Sequence, residues 1–355
     1  MIPAHPGRVT SAALTDAIDQ FTGVRGYLAA ASIGLPPKRA VAAMRADLDA
    51  WEAADRDPMG YDAIGESTRA HFARLVNVPA SAVALASQAS TIASVIAASA
   101  PEGAEVVCVE GDFTSIAVPF LQRGLKVRGV PLESLAESLT DDTWLVSFSL
   151  VQSSNGKVAD LPAILEAAAA HDVLTFCDST QGAGVHPFDS SRFDVTACHA
   201  YKWLCSPRGV AFMTISDRAS ALLTPIHAGW YAGGDDRWSN LYGPTMNLAP
   251  DARRFDVSPA WQAMVGAEHA IELFAGLDIA EVWERASSLG DALCDGLGIA
   301  QQHQAIVTWP DESGGDVKKL VDNGIKVSGR YGRLRASFHL WNDESDVDAV
   351  LKTLR

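Results

Sequence analysis

The stretch LTFCDSTQGAGVHPFDSSRFDVTACHAYKWLCSPRGVAFM, residues 174–213, decides the fold. Its first apolar run, Val173–Cys177, predicts a β-strand that ends at an acid, Asp178. A second apolar run, Val210–Thr214, predicts another strand at the far end of the stretch. Between them stands one lysine, Lys202, among aromatic and small side chains. The stretch therefore predicts a strand that delivers an acid and a later turn that presents a lysine.

The preceding part of the chain alternates between short apolar runs and stretches with helical spacing. The runs predict strands at Val83–Ala86, Glu105–Val109, Lys126–Val130 and Trp144–Ser149. The helical stretches include Thr91–Ala98, Ser115–Leu121 and Leu161–Ala170. This alternation predicts an α/β fold with a largely parallel sheet and helices on both faces. Ligands of such sheets bind beyond the carboxyl ends of the strands, which is where Asp178 falls.

The last part of the chain has a different pattern. It predicts strands at 305–308, 325–328 and 334–339, with helices at 315–323 and 345–354. This is an α+β arrangement, which indicates a second, smaller domain. We expect a large domain over residues 21–255 and a small C-terminal domain over 256–355, which the N-terminal residues 1–20 join.

Composition limits the partners. A formal net charge of −15 and an isoelectric point near 4.9 argue against nucleic acid, because phosphate binding needs clustered basic residues. The sequence has no signal-peptide pattern and no apolar run of about 20 residues, so we expect a cytoplasmic protein with no membrane partner. The five cysteines lack CxxC spacing, which favours buried thiols over disulfides or a metal site.

Polar turns follow three of the predicted strands. The turn Ser87–Thr91 leads into a helix, whose N-terminus could bind a phosphate group, although serine and threonine also cap helices. Phe113 could stack on a flat ring or belong to the core. The turn Gln152–Gly156 offers donors and acceptors. Neither GxxxxGK[ST] nor GxGxxG occurs, which argues against nucleoside triphosphates and dinucleotides.

An acid and a lysine presented together suit pyridoxal 5'-phosphate, a cofactor that needs a covalent amine and a facing carboxylate. Burial of Lys202 among Tyr201, Trp203 and Leu204 would lower the lysine's pKa and make it a better nucleophile. The alternative for Lys202 is an exposed helix lysine. The setting of Asp178 favours the cofactor.

Two motifs carry a family resemblance: CDSTQGAGVHPFD (177–189) and CHAYKWLCSPRGVAFM (198–213). With them, the chain resembles the class V aminotransferase and cysteine desulfurase family of pyridoxal phosphate enzymes. The likeness extends from YLAAASIGLPP (27–37) to RASFHLWNDESDVD (335–348). It implies the fold type I architecture of aspartate aminotransferase, with a mainly parallel, seven-stranded sheet in the cofactor domain and a smaller α+β domain. It also implies an amino-acid substrate and a homodimer with shared active sites.

The resemblance implies a role for each matching residue. Lys202 would carry the cofactor as a Schiff base, Asp178 would pair with the pyridine nitrogen, and Arg335 would hold the substrate's α-carboxylate. The other cofactor contacts would be Gln181 near the ring hydroxyl, Phe113 on the ring face, the phosphate ligands Ala89, Ser90, His199 and Tyr201, and Ser258 on the phosphate of the neighbouring subunit.

Two serines are candidates for the substrate pocket. Ser32 lies in a small-residue turn, Ala31–Gly34, that would let the backbone approach a ligand closely. Ser153 stands where many family members have an asparagine near the cofactor or the substrate. The Gly- and Trp-rich loop Gly229–Trp238 is a further candidate for lining the pocket.

The chain departs from the desulfurases of the family at two places. Their mobile cysteine has no counterpart in Asn323–Ser337, and Phe113 stands where they carry a histidine. We therefore do not expect persulfide-forming desulfuration. Transamination of an α-amino acid is favoured, with C–S β-elimination from an S-substituted cysteine and amino-acid epimerisation as alternatives. A catalytically silent binding module is disfavoured because Lys202 and Asp178 are both present.

Overall fold

A seven-stranded sheet organises the computed structural model, which describes residues 11–21, 23–234 and 236–355. The strand order is β1-β7-β6-β5-β4-β2-β3. Strands β3, β2, β4, β5 and β6 run parallel, and β7 is antiparallel to both of its neighbours. The expected mainly parallel α/β sheet of seven strands is confirmed. The strands are β1 Val83–Ala86, β2 Glu105–Val109, β3 Lys126–Val130, β4 Thr143–Ser149, β5 Leu174–Asp178, β6 Val195–His199 and β7 Ala211–Ile215.

Helices cover this sheet. Every residue of β5, β6 and β7 is buried, as expected for strands with both faces covered. Helix α8 packs against both α2 and α3. The helices are α1 Ala12–Asp19, α2 Lys38–Glu52, α3 Gly60–Leu75, α4 Ala89–Ser99, α5 Val118–Gln122, α6 Leu161–Ala170, α7 Asp217–Leu222, α8 Trp261–Ala275, α9 Ile279–Leu297, α10 Gly315–Asp322 and α11 Glu344–Leu354.

A second, three-stranded sheet lies in the C-terminal part. It consists of β8 Ile306–Pro310, β9 Ser328–Arg330 and β10 Arg333–Ser337, all antiparallel, with β10 in the centre. Helix α9 packs against β8 and α11. The boundaries 21–255 and 256–355 stay predictions, and residues 1–10 of the expected small domain lie outside the described residues.

The N-terminal segment joins the small sheet to the site. Bridges pair Tyr27 with Lys326 and Ala29 with Ser337. The backbone N–H of Ser337 donates to the carbonyl of Leu28 at 2.9 Å. The segment thus runs beside β10 and enters the turn Ala31–Gly34 next to the small sheet.

Strand β6 and helices α1 and α7 escaped the sequence patterns. Strand β6 contains Thr196, Cys198 and His199, so it lacks the apolar run that indicates a buried strand; the Thr196 and Thr214 hydroxyls pair at 2.7 Å instead. Helix α1 is capped by Ser11, and its residues Leu14 and Ala17 are buried. None of the helices in the described ranges is long and apolar enough to cross a membrane.

Candidate active site

The site lies at the carboxyl end of the parallel strands, where Asp178 ends β5 and His199 ends β6. Lys202 follows β6 in a tight turn and is only 9% exposed. Burial lowers the pKa of Lys202 to about 8, the negative charge of Asp178 opposes this, and the positive charge of Arg335 adds to it. A buried amine with this pKa is neutral in a useful fraction at neutral pH: about one lysine in ten at pH 7.

Asp178 is a buried acid with defined partners. The backbone N–H of Thr180 donates to its Oδ1 at 2.9 Å, and the Thr180 hydroxyl oxygen accepts from the backbone N–H of His199 at 2.9 Å. Burial raises the pKa of Asp178, while the hydrogen bonds from Thr180 and the charge of Lys202 hold it down. The acid can therefore stabilise a positive charge placed against it.

The turn Ala31–Gly34 packs directly against the lysine turn. The N–H of Gly34 donates to the carbonyl of Tyr201 at 2.9 Å, and a Cβ at Gly34 would lie 2.0 Å from the carbonyl oxygen of Lys202. Gln181 links the same parts, because its Nε2 donates to the Ala31 carbonyl at 3.0 Å and its Oε1 accepts from Trp203 Nε1 at 2.8 Å. Gln181 keeps one amide hydrogen for a ligand.

The start of α4 suits an anion. No side chain caps this helix, and the N–H of Ala89 donates to Nε2 of His199 at 3.0 Å, so Nε2 is unprotonated. Burial, followed by the charges of Lys202 and Arg208, lowers the pKa of His199 to about 4. Ser90, in the first turn of α4, is partly buried. His199 and Tyr201 lie edge to face with ring centroids 5.3 Å apart, and Arg208 stacks on Tyr201 with its Cζ 4.9 Å from the ring centroid.

Phe113 faces the lysine. Its ring centroid lies 5.5 Å from the Nζ of Lys202, so the ring is near the amine, as expected for a stacking residue. Asp112 fixes the backbone around Phe113. Its carboxylate accepts from the N–H groups of Phe113 and Ser149 at 2.6 and 2.8 Å, and from Gln152 Nε2 at 3.0 Å. The sequence reasoning missed Asp112, although it stands just beyond the end of β2 much as Asp178 ends β5.

Arg335 is a buried cation held by neutral groups. It is 2% exposed; its Nη2 donates to the Ser32 hydroxyl at 2.7 Å, its Nε donates to the Ser328 hydroxyl at 3.0 Å, and its Nη1 donates to the carbonyl of Ser153. Burial, helped by the charge of Arg330, lowers the pKa of Arg335 to about 10. The structure thus brings Ser32 and Ser153 to Arg335, but Ser153 contributes its backbone rather than its side chain.

Two further predicted parts of the site lie next to β1 and α3. Ser258 is exposed, just after Val257, whose N–H donates to the carbonyl of Leu85 in β1 at 3.1 Å. The loop Gly229–Trp238, apart from Asp235, which lies outside the described residues, packs on α3: Arg237 pairs with Glu66 at 2.8 Å and Trp238 Nε1 donates to Asp62 at 2.7 Å. Its large side chains serve this packing, and a role of this loop in lining the pocket stays a prediction.

A buried histidine also supports the lysine turn. His339 Nε2 lies 2.8 Å from the carbonyl oxygen of Trp203, and burial lowers the pKa of His339 to about 4. Sequence reasoning missed His339 and Thr180, because their side chains bond to partners 136 and 19 residues away in the chain. Within the described ranges, no group of three or more His, Cys, Asp or Glu side chains could hold a metal ion.

The chain matches a family model, several known proteins by sequence and several solved structures by fold. The family model described as aminotransferase class V matches residues 37–317. A kynureninase of Deinococcus radiodurans is 25% identical over 287 residues, 75% of this chain and 69% of that protein. An uncharacterized aminotransferase of Bacillus subtilis is 26% identical over 79% of this chain and 80% of its own length. A solved cystine C–S lyase in complex with cysteine persulfide has the same fold, with a TM-score of 0.84 at 20% identity, over 94% of this chain and 97% of its own.

Proposed function

The chain belongs to the class V aminotransferase family, a family of pyridoxal phosphate-dependent enzymes, and we propose that it transfers the amino group of an α-amino acid to the cofactor attached at Lys202. The observation that carries the proposal is that the buried Arg335 and the turn of the buried Lys202 both contact the turn Ala31–Gly34. Lys202 is the nucleophile, and Arg335, whose charge acts on the pKa of Lys202, is the carboxylate-binding group. An amine and a carboxylate site in one buried corner suit an α-amino acid.

The residues around Lys202 fit pyridoxal phosphate. Asp178 would face the pyridine nitrogen, Gln181 would donate its free amide hydrogen to the ring hydroxyl, and Phe113 would cover the ring. The phosphate would lie at the uncapped start of α4, near Ala89, Ser90, His199 and Tyr201. When bound, the cofactor supplies an aldehyde that takes up the amino group and a ring that accepts the electron pair released at the α-carbon.

Arg335 would bind the substrate, and Lys202 would transfer its α-proton. Arg335 binds the α-carboxylate with two parallel N–H donors and so fixes which α-bond faces the lysine. The neutral amine of Lys202 would take the proton from the α-carbon and return it on the cofactor side. A water molecule would then supply the oxygen of the released 2-oxo acid, while the amino group stays with the cofactor. Asp178, buried and negative, favours the positive charge that draws the electron pair away from the α-carbon.

Two observations weigh against other outcomes in the family. Phe113 has no exchangeable proton, so it offers no second acid or base for epimerisation near the lysine. All five cysteines are buried, and the hairpin formed by β9 and β10 contains none, so no thiol is available for a persulfide. C–S β-elimination shares the proton removal by Lys202 and differs in the bond that breaks next.

The proposal includes a homodimer with shared active sites. It is supported by the exposure of Ser258, which needs a partner subunit to meet a phosphate, and by large exposed side chains such as Tyr242, Met59 and Trp51. Sedimentation of the holoenzyme should give twice the chain mass of 37.6 kDa. In a mixture of Lys202→Ala and Ser258→Ala chains, shared sites would restore activity in hybrid dimers.

Product analysis tests the reaction. The holoenzyme is incubated with α-amino acids and S-substituted cysteines without any amino acceptor. Amino transfer predicts about one equivalent of 2-oxo acid per active site, with further turnover only after a 2-oxo acid acceptor is added. Continuous release of pyruvate and ammonia would instead identify a lyase, and inversion of the amino acid would identify an epimerase; either result would replace the proposed reaction.

A further inference from the structure

One face of the small sheet carries three arginines. In the antiparallel pair of β9 and β10, Ser328 is opposite Arg335, and Arg330 is opposite Arg333. Residues directly opposite in such a pair share a face, and so do residues two apart on one strand. Arg330, Arg333 and Arg335 therefore lie on the same face. The hydrogen bond from Arg335 Nε to the Ser328 hydroxyl, at 3.0 Å, agrees with this arrangement.

These three cations have neutral partners. Arg333 donates to the side-chain and carbonyl oxygens of Thr308 at 3.1–3.2 Å, and Arg335 donates to three serines. Arg330 donates from Nη1 to the carbonyl of Gly329 at 2.7 Å. In the part of the chain that the structure describes, no aspartate or glutamate forms an ion pair with any of them. The face is thus positively charged, with no acidic partner among the described residues.

Arg330 lies within electrostatic reach of the catalytic corner. Its charge lowers the pKa of Arg335, second only to burial, and it also contributes to the low pKa of Lys202. Diagonal positions on one face of an antiparallel pair have Cβ atoms about 7–8 Å apart, a separation that two long arginine side chains span easily. A substrate held at Arg335 can therefore reach Arg330 with its far end.

The short loop between β9 and β10 fixes the position of Arg330. Only Tyr331 and Gly332 join β9 to β10, with φ angles of 47° and 70°. Two left-handed residues in a two-residue loop are typical of a type I′ hairpin, whose geometry leaves little freedom. The exposed Tyr331 shares a cavity of about 320 Å³ with Gln152 and Ser154, the neighbours of Ser153. Glu110 also lines this cavity but forms no ion pair with Arg330.

We propose, as an extension of the proposed function, that Arg330 binds a second anionic group, so that the substrate is an α-amino acid whose side chain ends in a carboxylate or a similar oxyanion. Arg335 takes the α-carboxylate, and Arg330 takes the distal anion at the mouth of the site. Arg333 is committed to Thr308 and does not take part. A substrate with an uncharged side chain would form no ionic contact with Arg330, which would stay in solvent. Arg330 would then add nothing to the binding of that substrate.

The test compares isosteric pairs that differ in charge. Dissociation constants of L-aspartate and L-asparagine, and of L-glutamate and L-glutamine, are measured on the holoenzyme from the change in the cofactor absorbance. We expect the acid to bind about tenfold tighter than its amide in at least one pair. Arg330→Gln should abolish this preference without changing amide binding, whereas Arg330→Lys should retain part of it. Arg333→Gln, which removes a cation from the same face, should keep the preference.

Each other outcome has a distinct meaning. Equal binding of acid and amide by the unmodified protein, or an acid preference that survives Arg330→Gln, would overturn the role of Arg330 while leaving amino transfer intact. If Arg330→Gln and Arg333→Gln reduced the preference for the acid equally, the preference would come from the general positive charge of the face and not from a specific contact with Arg330. If none of the four amino acids changes the absorbance and no 2-oxo acid forms from a wider panel, the proposed function itself fails.

Discussion

Arg335 donates a hydrogen bond from Nη2 to the hydroxyl of Ser32 at 2.7 Å, although 303 residues separate them in the chain. The contact brings the two ends of the sequence together at the site. Ser32 belongs to the N-terminal turn, and Arg335 belongs to the central strand of the small sheet. It also orients a guanidinium that forms no ion pair with the described part of the chain, leaving its charge for a ligand.

Ser32→Ala should weaken amino-acid binding about three- to tenfold and leave kcat within about twofold, since the hydroxyl orients the guanidinium without touching the reacting atoms. Ser153→Ala is the matched control, because Ser153 contributes its carbonyl rather than its hydroxyl. Steady-state kinetics of both variants measure the effect. If Ser153→Ala raised KM as much as Ser32→Ala, it would be wrong that Arg335 is oriented by the Ser32 hydroxyl and by only the carbonyl of Ser153.

Attachment of the cofactor should follow the titration of Lys202. Only the neutral amine attacks an aldehyde, and burial sets the pKa of Lys202 at about 8. The rate at which apoprotein gains the cofactor absorbance should therefore rise with pH and level off above about 8. Nα-acetyl-lysine amide is the control, and its rate should continue to rise toward pH 10. A protein rate that rises in the same way would mean that Lys202 has an ordinary pKa.

Asp178→Asn should retain the cofactor at Lys202 but lose about 100-fold or more in kcat, because the negative charge that supports the electron-withdrawing ring is gone. The same variant should shift the attachment midpoint to lower pH, since the charge of Asp178 raises the pKa of Lys202. Cofactor content, kcat and the attachment profile are measured together. Unchanged turnover would remove Asp178 from the mechanism.

Gly34→Ala should destabilise the protein by about 1–3 kcal/mol, since the new Cβ would meet the carbonyl oxygen of Lys202 and the Cα of Cys205, which are backbone atoms that cannot move aside cheaply. Gly229→Ala is the control, because a Cβ there has no neighbour within 4 Å and its φ of −126° suits any residue. Urea unfolding measures both free energies. Equal stability of the two variants would show that the turn does not press on the lysine loop.

The sheet could be predicted because most of its strands are plain apolar runs. Val83–Ala86, Glu105–Val109 and Lys126–Val130 match the structure residue for residue, and the family resemblance is borne out in the fold and in the class of enzyme. Strand β6 could not be found in this way, because its polar residues are satisfied by partners that only the folded chain supplies. Thr196, for example, pairs with Thr214 on the adjacent strand.

The candidate site residues stay predictions from the sequence, whereas the contacts among them are seen only in the fold. Lys202 and Asp178 stand out because an acid at a strand end and a lysine in an apolar setting are rare patterns. By contrast, Asp112 orders Phe113 and His339 supports the lysine turn through long-range hydrogen bonds, which local patterns do not encode. The same holds for Arg330, whose place on the face of Arg335 depends on the register of a hairpin.

The central claim is that Lys202 carries pyridoxal phosphate. The most direct measurement is borohydride reduction of the cofactor-loaded protein, followed by proteolysis and mass spectrometry of the peptides. We expect one pyridoxyl phosphate group per chain, on the peptide that contains Lys202, and none in Lys202→Ala. A group on another lysine, or a protein that takes up no cofactor, would contradict it.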